Sequence, residues 1–263
     1  MKLRKIISLL IATVLILSTL TSCARTPEEM AKKADETLEK KAYSIEIEID
    51  YHTVDSEVAG LFDQLERSET TLYFKGDAFK AVNDLTIDDG DGDINFHSVY
   101  TVIDGTLYSN LVYTVDGVPN PIKSKAEIGS DDLATFISSQ RIIGNVSAED
   151  FKNATLEKKD GNVYLVCSDV SEELYITLEK ALVAQLEASS DSVKATQIKM
   201  SAELDGKRYD TITVDCNFTV NLNGKSYFVG MKVELEFDYD AHFDISAPLD
   251  ASEYSTVSLD VLI

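Results

Sequence analysis

The chain has no tryptophan, and only three histidines and three cysteines in 263 residues. His52, His97 and His242 lie far apart, none with a second His or Cys at a metal-ligand interval, so the spacing offers no zinc centre. No Gly-rich phosphate loop, Gly-x-Ser-x-Gly elbow or His-Glu-x-x-His pair occurs, which removes the usual signatures of nucleotide binding, serine hydrolysis and metalloproteolysis. Cations are scarce as well, 24 Lys and Arg against 46 Asp and Glu. A chain of formal charge −22 with no basic stripe repels a phosphate backbone, so a nucleic-acid partner is excluded. Four prolines, 12 glycines and 44% hydrophobic residues describe neither a collagen nor a disordered chain. We therefore expect a folded, acidic protein with no catalytic residues, no cofactor and no enzymatic activity.

What is present begins with an address. Lys2, Arg4 and Lys5 precede an apolar run from Ile6 to Leu17, which is short for a membrane-spanning helix of about 20 residues. The run ends in Leu20-Thr21-Ser22-Cys23, which resembles the lipobox of bacterial lipoproteins. The resemblance implies that residues 1–22 are a lipoprotein signal peptide and that Cys23 carries the lipid. It further implies that residues 23–25 form a short tether at the extracytoplasmic face of a cell membrane. Loss of the three signal-peptide cations leaves the rest three charges more negative than the whole. Acyl chains, at about 0.8 kcal/mol per buried CH₂, then hold the protein to the bilayer where charge does not.

Residues 26–263 read as alternating helical and extended segments. Thr26-Pro27-Glu28-Glu29 combines an N-cap, Pro at the first helical position and Glu three residues after the cap. Met30, Ala34, Leu38 and Ala42 then mark one apolar helical face. From Tyr43 to Tyr51 the period drops to two, the pattern of a strand with one face in water. The same alternation continues over Thr70–Phe74, Ala78–Ile87, Ile94–Ile103 and Thr106–Val115, after a short helix or folded loop within Asp55–Arg67. Pro119 and Pro121 mark a linker, and Ser130 caps a short helix. A hairpin of Ala154–Glu157 and Asn162–Cys167 precedes a helix capped by Ser171 or Asp169, with a stripe at Leu174, Leu178, Leu182 and Leu186. Three strands follow, Lys194–Leu204, Arg208–Asn221 and Ser226–Asp240, with turns at Asp205-Gly206 and Asn223-Gly224.

About ten strands with one polar face each, plus helices needing an apolar surface, are met by an α+β fold, a single curved antiparallel sheet with helices on its concave face. That order resembles the half-barrel of the periplasmic lipoprotein-carrier family and its mycobacterial relatives, in which acyl chains enter between sheet and helices. The resemblance rests on element order and transfers no ligand-contacting residue. It implies a non-enzymatic envelope lipoprotein binding a lipid or other hydrophobic ligand in an apolar cleft. The alternative is a protein–protein interaction module of the cell envelope with a filled core. Two further groups stand out. Asp89, Asp91 and Asp93 imitate the first ligands of a calcium loop, or else form a solvated hairpin turn. Cys167 and Cys216 either close a disulfide, whose loop of about 50 residues would contribute roughly 4 kcal/mol, or serve as two small buried hydrophobes.

Overall fold

The protein is described from a computed structural model over residues 25–53, 56–65, 68–88, 93–115, 117–140, 146–186 and 192–262. Helix α1 (Pro27–Leu38) leads into β1 (Tyr43–Thr53), followed by α2 (Ser56–Leu65), β2 (Ser68–Lys75), β3 (Ala78–Asp88) and β4 (Asp93–Ile103). Next come β5 (Thr106–Val115), β6 (Val118–Glu127), α3 (Ser130–Gln140), β7 (Thr155–Lys159), β8 (Asn162–Cys167) and α4 (Glu172–Gln185). The chain closes with β9 (Val193–Asp205), β10 (Arg208–Leu222), β11 (Lys225–Asp238) and the short β12 (Ser255–Thr256).

All twelve strands belong to one open, curved sheet in the order β12-β6-β5-β4-β3-β2-β1-β11-β10-β9-β8-β7. Two antiparallel meanders, β1–β6 and β7–β11, meet where β1 pairs with β11. Their strands run outward from that seam in opposite chain order. The turns are those the sequence dictates: Asp104-Gly105, Asp160-Gly161 and Asn223-Gly224 all take positive φ at both positions, as the tightest hairpins require.

The expected ten strands become twelve through two corrections. The segment around Pro119 and Pro121 is strand β6, not a linker. Both prolines sit at positions whose missing N–H points away from β5, which an edge strand tolerates. The second addition is β12, which pairs in parallel with Ser124 and Lys125 of β6.

Alternation sorts the sheet into two faces. On the core face, Ile45, Ile47, Leu72, Val214, Phe218, Val229, Val233 and Leu235 are buried. Ala31 and Ala34 of α1, Phe62 of α2, Phe136 of α3 and Leu178 and Leu182 of α4 join the same cluster. Helix α1 starts with a reciprocal cap: Thr26 Oγ1 accepts from the Glu29 amide at 3.2 Å, and Glu29 Oε2 accepts from the Thr26 amide at 3.1 Å. Ser171, not Asp169, caps α4. The opposite, outer face carries a strap from Phe243 to Tyr254, while Tyr239, Leu259 and Leu262 on either side of it pack against the core cluster. Phe243 packs on Tyr73, Tyr254 on Tyr108, and Lys123 binds Asp250 and Glu253 before β12 reaches the β6 edge. No helix among the described residues is long and apolar enough to cross a membrane.

Candidate functional site

One opening on the core face is a groove of about 370 Å³ beside the C-terminal end of α1. Tyr43 and Phe74, directly opposed across β1 and β2, stack at 4.8 Å and form its apolar wall with Leu38 and Val146. Asp35 lies on its rim. Its Oδ2 accepts from the Ala148 amide at 2.8 Å, and its Oδ1 accepts from the Tyr209 hydroxyl at 2.9 Å. Burial pushes the Asp35 pKa up, and this outweighs the lowering by those two hydrogen bonds; the charges of Glu39 and Asp150 add to the rise. Burial and the neighbouring Asp35 push the Tyr209 hydroxyl up as well, so it stays protonated and a donor. The group holds α1 to β10 and to the turn at Ala148.

The second opening is an apolar ledge on β4–β6. Cross-strand register places Phe96 opposite Tyr113, Ser98 opposite Leu111, and Leu111 opposite Ile122, all on the face that carries the core. Val115 and Val118 extend the row beyond them. Phe96, Leu111 and Tyr113 are half-buried, while Val115, Val118 and Ile122 are 39%, 60% and 51% exposed. Reading β6 as a linker hid Val118 and Ile122, although the alternation Val118, Asn120, Ile122, Ser124, Ala126 was available.

The outer face is of opposite character. Glu46 stands opposite Glu236 and Glu48 opposite Glu234 across the β1–β11 seam, with Asp50, Glu69 and Lys232 around a shallow groove of about 410 Å³. Burial together with Glu48, Glu234 and Glu46 raises the pKa of Glu236, since another negative charge is unwelcome there.

Of the residues singled out in the sequence, Cys23, Asp89 and Asp91 lie outside the described residues, as does the side chain of Asp93, whose backbone begins β4. Among the described residues no group of three His, Cys, Asp or Glu side chains is placed to hold a metal ion. His97 pairs with Asp84 at 2.7 Å and His52 with Asp50 at 3.1 Å, both as exposed outer-face contacts. Cys167 and Cys216 are free and buried on β8 and β10, with β9 between them. Burial pushes the Cys216 thiol up to about 12, far from a reactive thiolate.

No family model matches the chain, and no curated protein does. Among solved structures, an AttH-type protein from Nitrosomonas europaea aligns at 9% identity and a TM-score of 0.19 over 77% of this chain and 52% of its own. The alignment thus spans about half of that protein. The dehydratase domain of the CurF module of curacin polyketide synthase aligns at 10% identity and a TM-score of 0.15, covering 81% and 82% of the two chains. An N-terminal dehydratase from the difficidin assembly line aligns at 9% and 0.13, covering 80% and 82%. At such scores neither fold nor activity passes from these proteins to this chain.

Proposed function

We propose that this chain is a non-enzymatic lipoprotein, anchored through Cys23 to the extracytoplasmic face of a cell membrane, that holds a lipid or other hydrophobic ligand against the apolar ledge of β4–β6. The half-barrel arrangement, with helices on the concave side of the curved sheet, belongs to the same reading. Its main support is the ledge: the exposed Val115, Val118 and Ile122 share one face and continue the buried core outward, where water would otherwise cover them. The run from Lys2 to Cys23 supports the anchor. A hydrophobic ligand lying on the ledge would replace that water, at roughly 25 cal/mol for each Å² of apolar surface covered.

Native mass spectrometry of the protein purified without detergent tests this reading. Bound lipid is expected, and changing Val118 and Ile122 together to Asp should release it with the fold intact by circular dichroism. A protein that is consistently empty overturns it. A second reading has its own observation. The inward residues of β1 and β9–β11 are largely buried, and the outer face is strongly acidic, which suits an interaction module for another envelope protein.

A further inference from the structure

Helix α3 ends part-way across the core face of β3–β6. Its Phe136 packs on the Phe79 and Tyr100 rings at 6.0 and 5.4 Å, and its last residue, Gln140, reaches Asn83 on β3. There, register lines up Asn83, Ser98, Leu111 and Ile122 in one row across β3, β4, β5 and β6. The row changes character along its length. At the β3 end the Asn83 amide donates to Ser98 Oγ at 3.3 Å and to Gln140 Oε1 at 3.4 Å, and the Ser98 O–H and Gln140 N–H groups have no acceptor among the described residues. At the β6 end lie Leu111 and the exposed Ile122 of the ledge. Charge avoids this surface. The chain holds 46 Asp and Glu, yet every position of β3–β6 that register places on the core face is uncharged, and Lys80, Asp84, His97 and Lys123 take the outer face. Three strand spacings of about 4.8 Å make the row roughly 14 Å long. One leaflet of a hydrocarbon core about 30 Å thick gives an acyl chain about 15 Å, so the row has the length of a single chain.

Resting on the reading of the ledge as a site for a hydrophobic ligand, we propose that this ligand is a single acyl chain in ester linkage, of the monoacylglycerol type, and not a free fatty acid. The ester carbonyl accepts from the Ser98 O–H and the Gln140 N–H, and the chain runs over Leu111 and Ile122 toward the sheet edge. A carboxylate in the same place would give up water on an uncharged face, with no cation beside it among the described residues, a cost that a neutral carbonyl escapes.

Native mass spectrometry of the full chain at neutral pH, with monododecanoylglycerol and dodecanoate in competition, tests the assignment. The ester is expected to bind about tenfold more tightly than the acid. Ser98→Ala and Gln140→Leu, made singly, should each remove most of that preference with the circular dichroism unchanged, which separates recognition of the ester from its lower solubility. Equal binding of the two probes overturns this inference and leaves the ledge as a site that reads only the chain. A preference that survives both substitutions also overturns it. Binding of neither probe overturns the inference together with the reading of the ledge on which it rests.

Discussion

A single half-buried carboxylate shows how this fold treats the polar groups that join its elements. Asp35 joins α1 to β10 and to the Ala148 turn through two hydrogen bonds, yet burial raises its pKa. The proton is therefore bound more tightly in the folded chain than at the unfolded value of about 3.9. Stability from this group is fully present below that unfolded value and is lost as pH rises through the raised folded value, so at neutral pH the charge is carried at a cost. Asp35→Asn can keep a carbonyl for Ala148 and offer its amide N–H to Tyr209, and we expect it to match or exceed the original stability at pH 7. It should also flatten the acid side of the stability profile. Asp35→Ala leaves the Ala148 amide bare and leaves the Tyr209 hydroxyl only the Ala31 carbonyl at 3.3 Å, and should cost roughly 1–3 kcal/mol. Urea titrations from about pH 4, where ordinary carboxylates titrate, up to about pH 8, where they are ionised, check both outcomes. An Asn variant less stable than the Ala variant would reverse the argument. The free thiols make a second test at this scale. With Cys167 and Cys216 on strands separated by β9, dithiothreitol should leave the melting temperature unchanged, whereas a drop would reveal a bridge.

Among the elements, the two sheet edges and the central seam carry the most argument. Along β6, Pro119 and Pro121 remove the outward N–H groups, and the next stretch with free outward groups is occupied by β12, whose neighbour Val257 donates to the Lys125 carbonyl at 3.0 Å. That edge is blunted along its length, as exposed sheet edges require. Replacing both prolines by threonine should therefore produce concentration-dependent dimers or larger species in light scattering, while a strictly monomeric variant would show that the strap alone protects the edge. At the seam, Glu46 opposes Glu236 and Glu48 opposes Glu234. Like charges directly opposite are unfavourable, so Glu236→Lys should stabilise by about 0.2–1 kcal/mol, with the gain shrinking as salt is added. A salt-independent gain would point to packing instead. Sequence pattern made most of these elements legible, because period two and period 3.6 survive wherever a face is buried: Ile45, Ile47 and Ile49, or Leu174, Leu178 and Leu182, announce themselves. It misled where one residue type has two uses. Proline breaks central strands yet protects edge strands, so β6 read as a linker, and the ledge residues Val118 and Ile122 went with it. The strap and the Asp35 group were not legible at all, since they join residues more than a hundred positions apart with no local period to betray them.

At the scale of the whole molecule, the proposed anchor at Cys23 would bring an acidic body to a membrane that its charge does not favour. Between Cys23 and the Thr26 cap lie Ala24 and Arg25, which in extended form reach roughly 7 Å. A tether that short matters only if α1 is firmly part of the body. The structure ties α1 at several points along its length. Thr26 and Glu29 cap its start, Ala31 and Ala34 have no exposed surface, Asp35 binds Tyr209 and Ala148, and Thr37 donates to the Lys207 carbonyl at 3.0 Å. A helix held in this way cannot unwind as a leash without disturbing the core. On vesicles, the lipidated protein should therefore show amide exchange protection from Ala31 to Leu38 close to that of β10 and β11, and the start of α1 should lie at the bilayer surface. A Gly/Ser insertion of about 20 residues after Arg25 extends the r.m.s. reach to roughly 25 Å. If delivery of a hydrophobic ligand depends on close approach, lipid transfer between vesicles should slow in that variant with α1 protection unchanged. Rapid exchange throughout α1 in the uninserted protein would mean that the helix is only a tether and that the short linker sets no geometry.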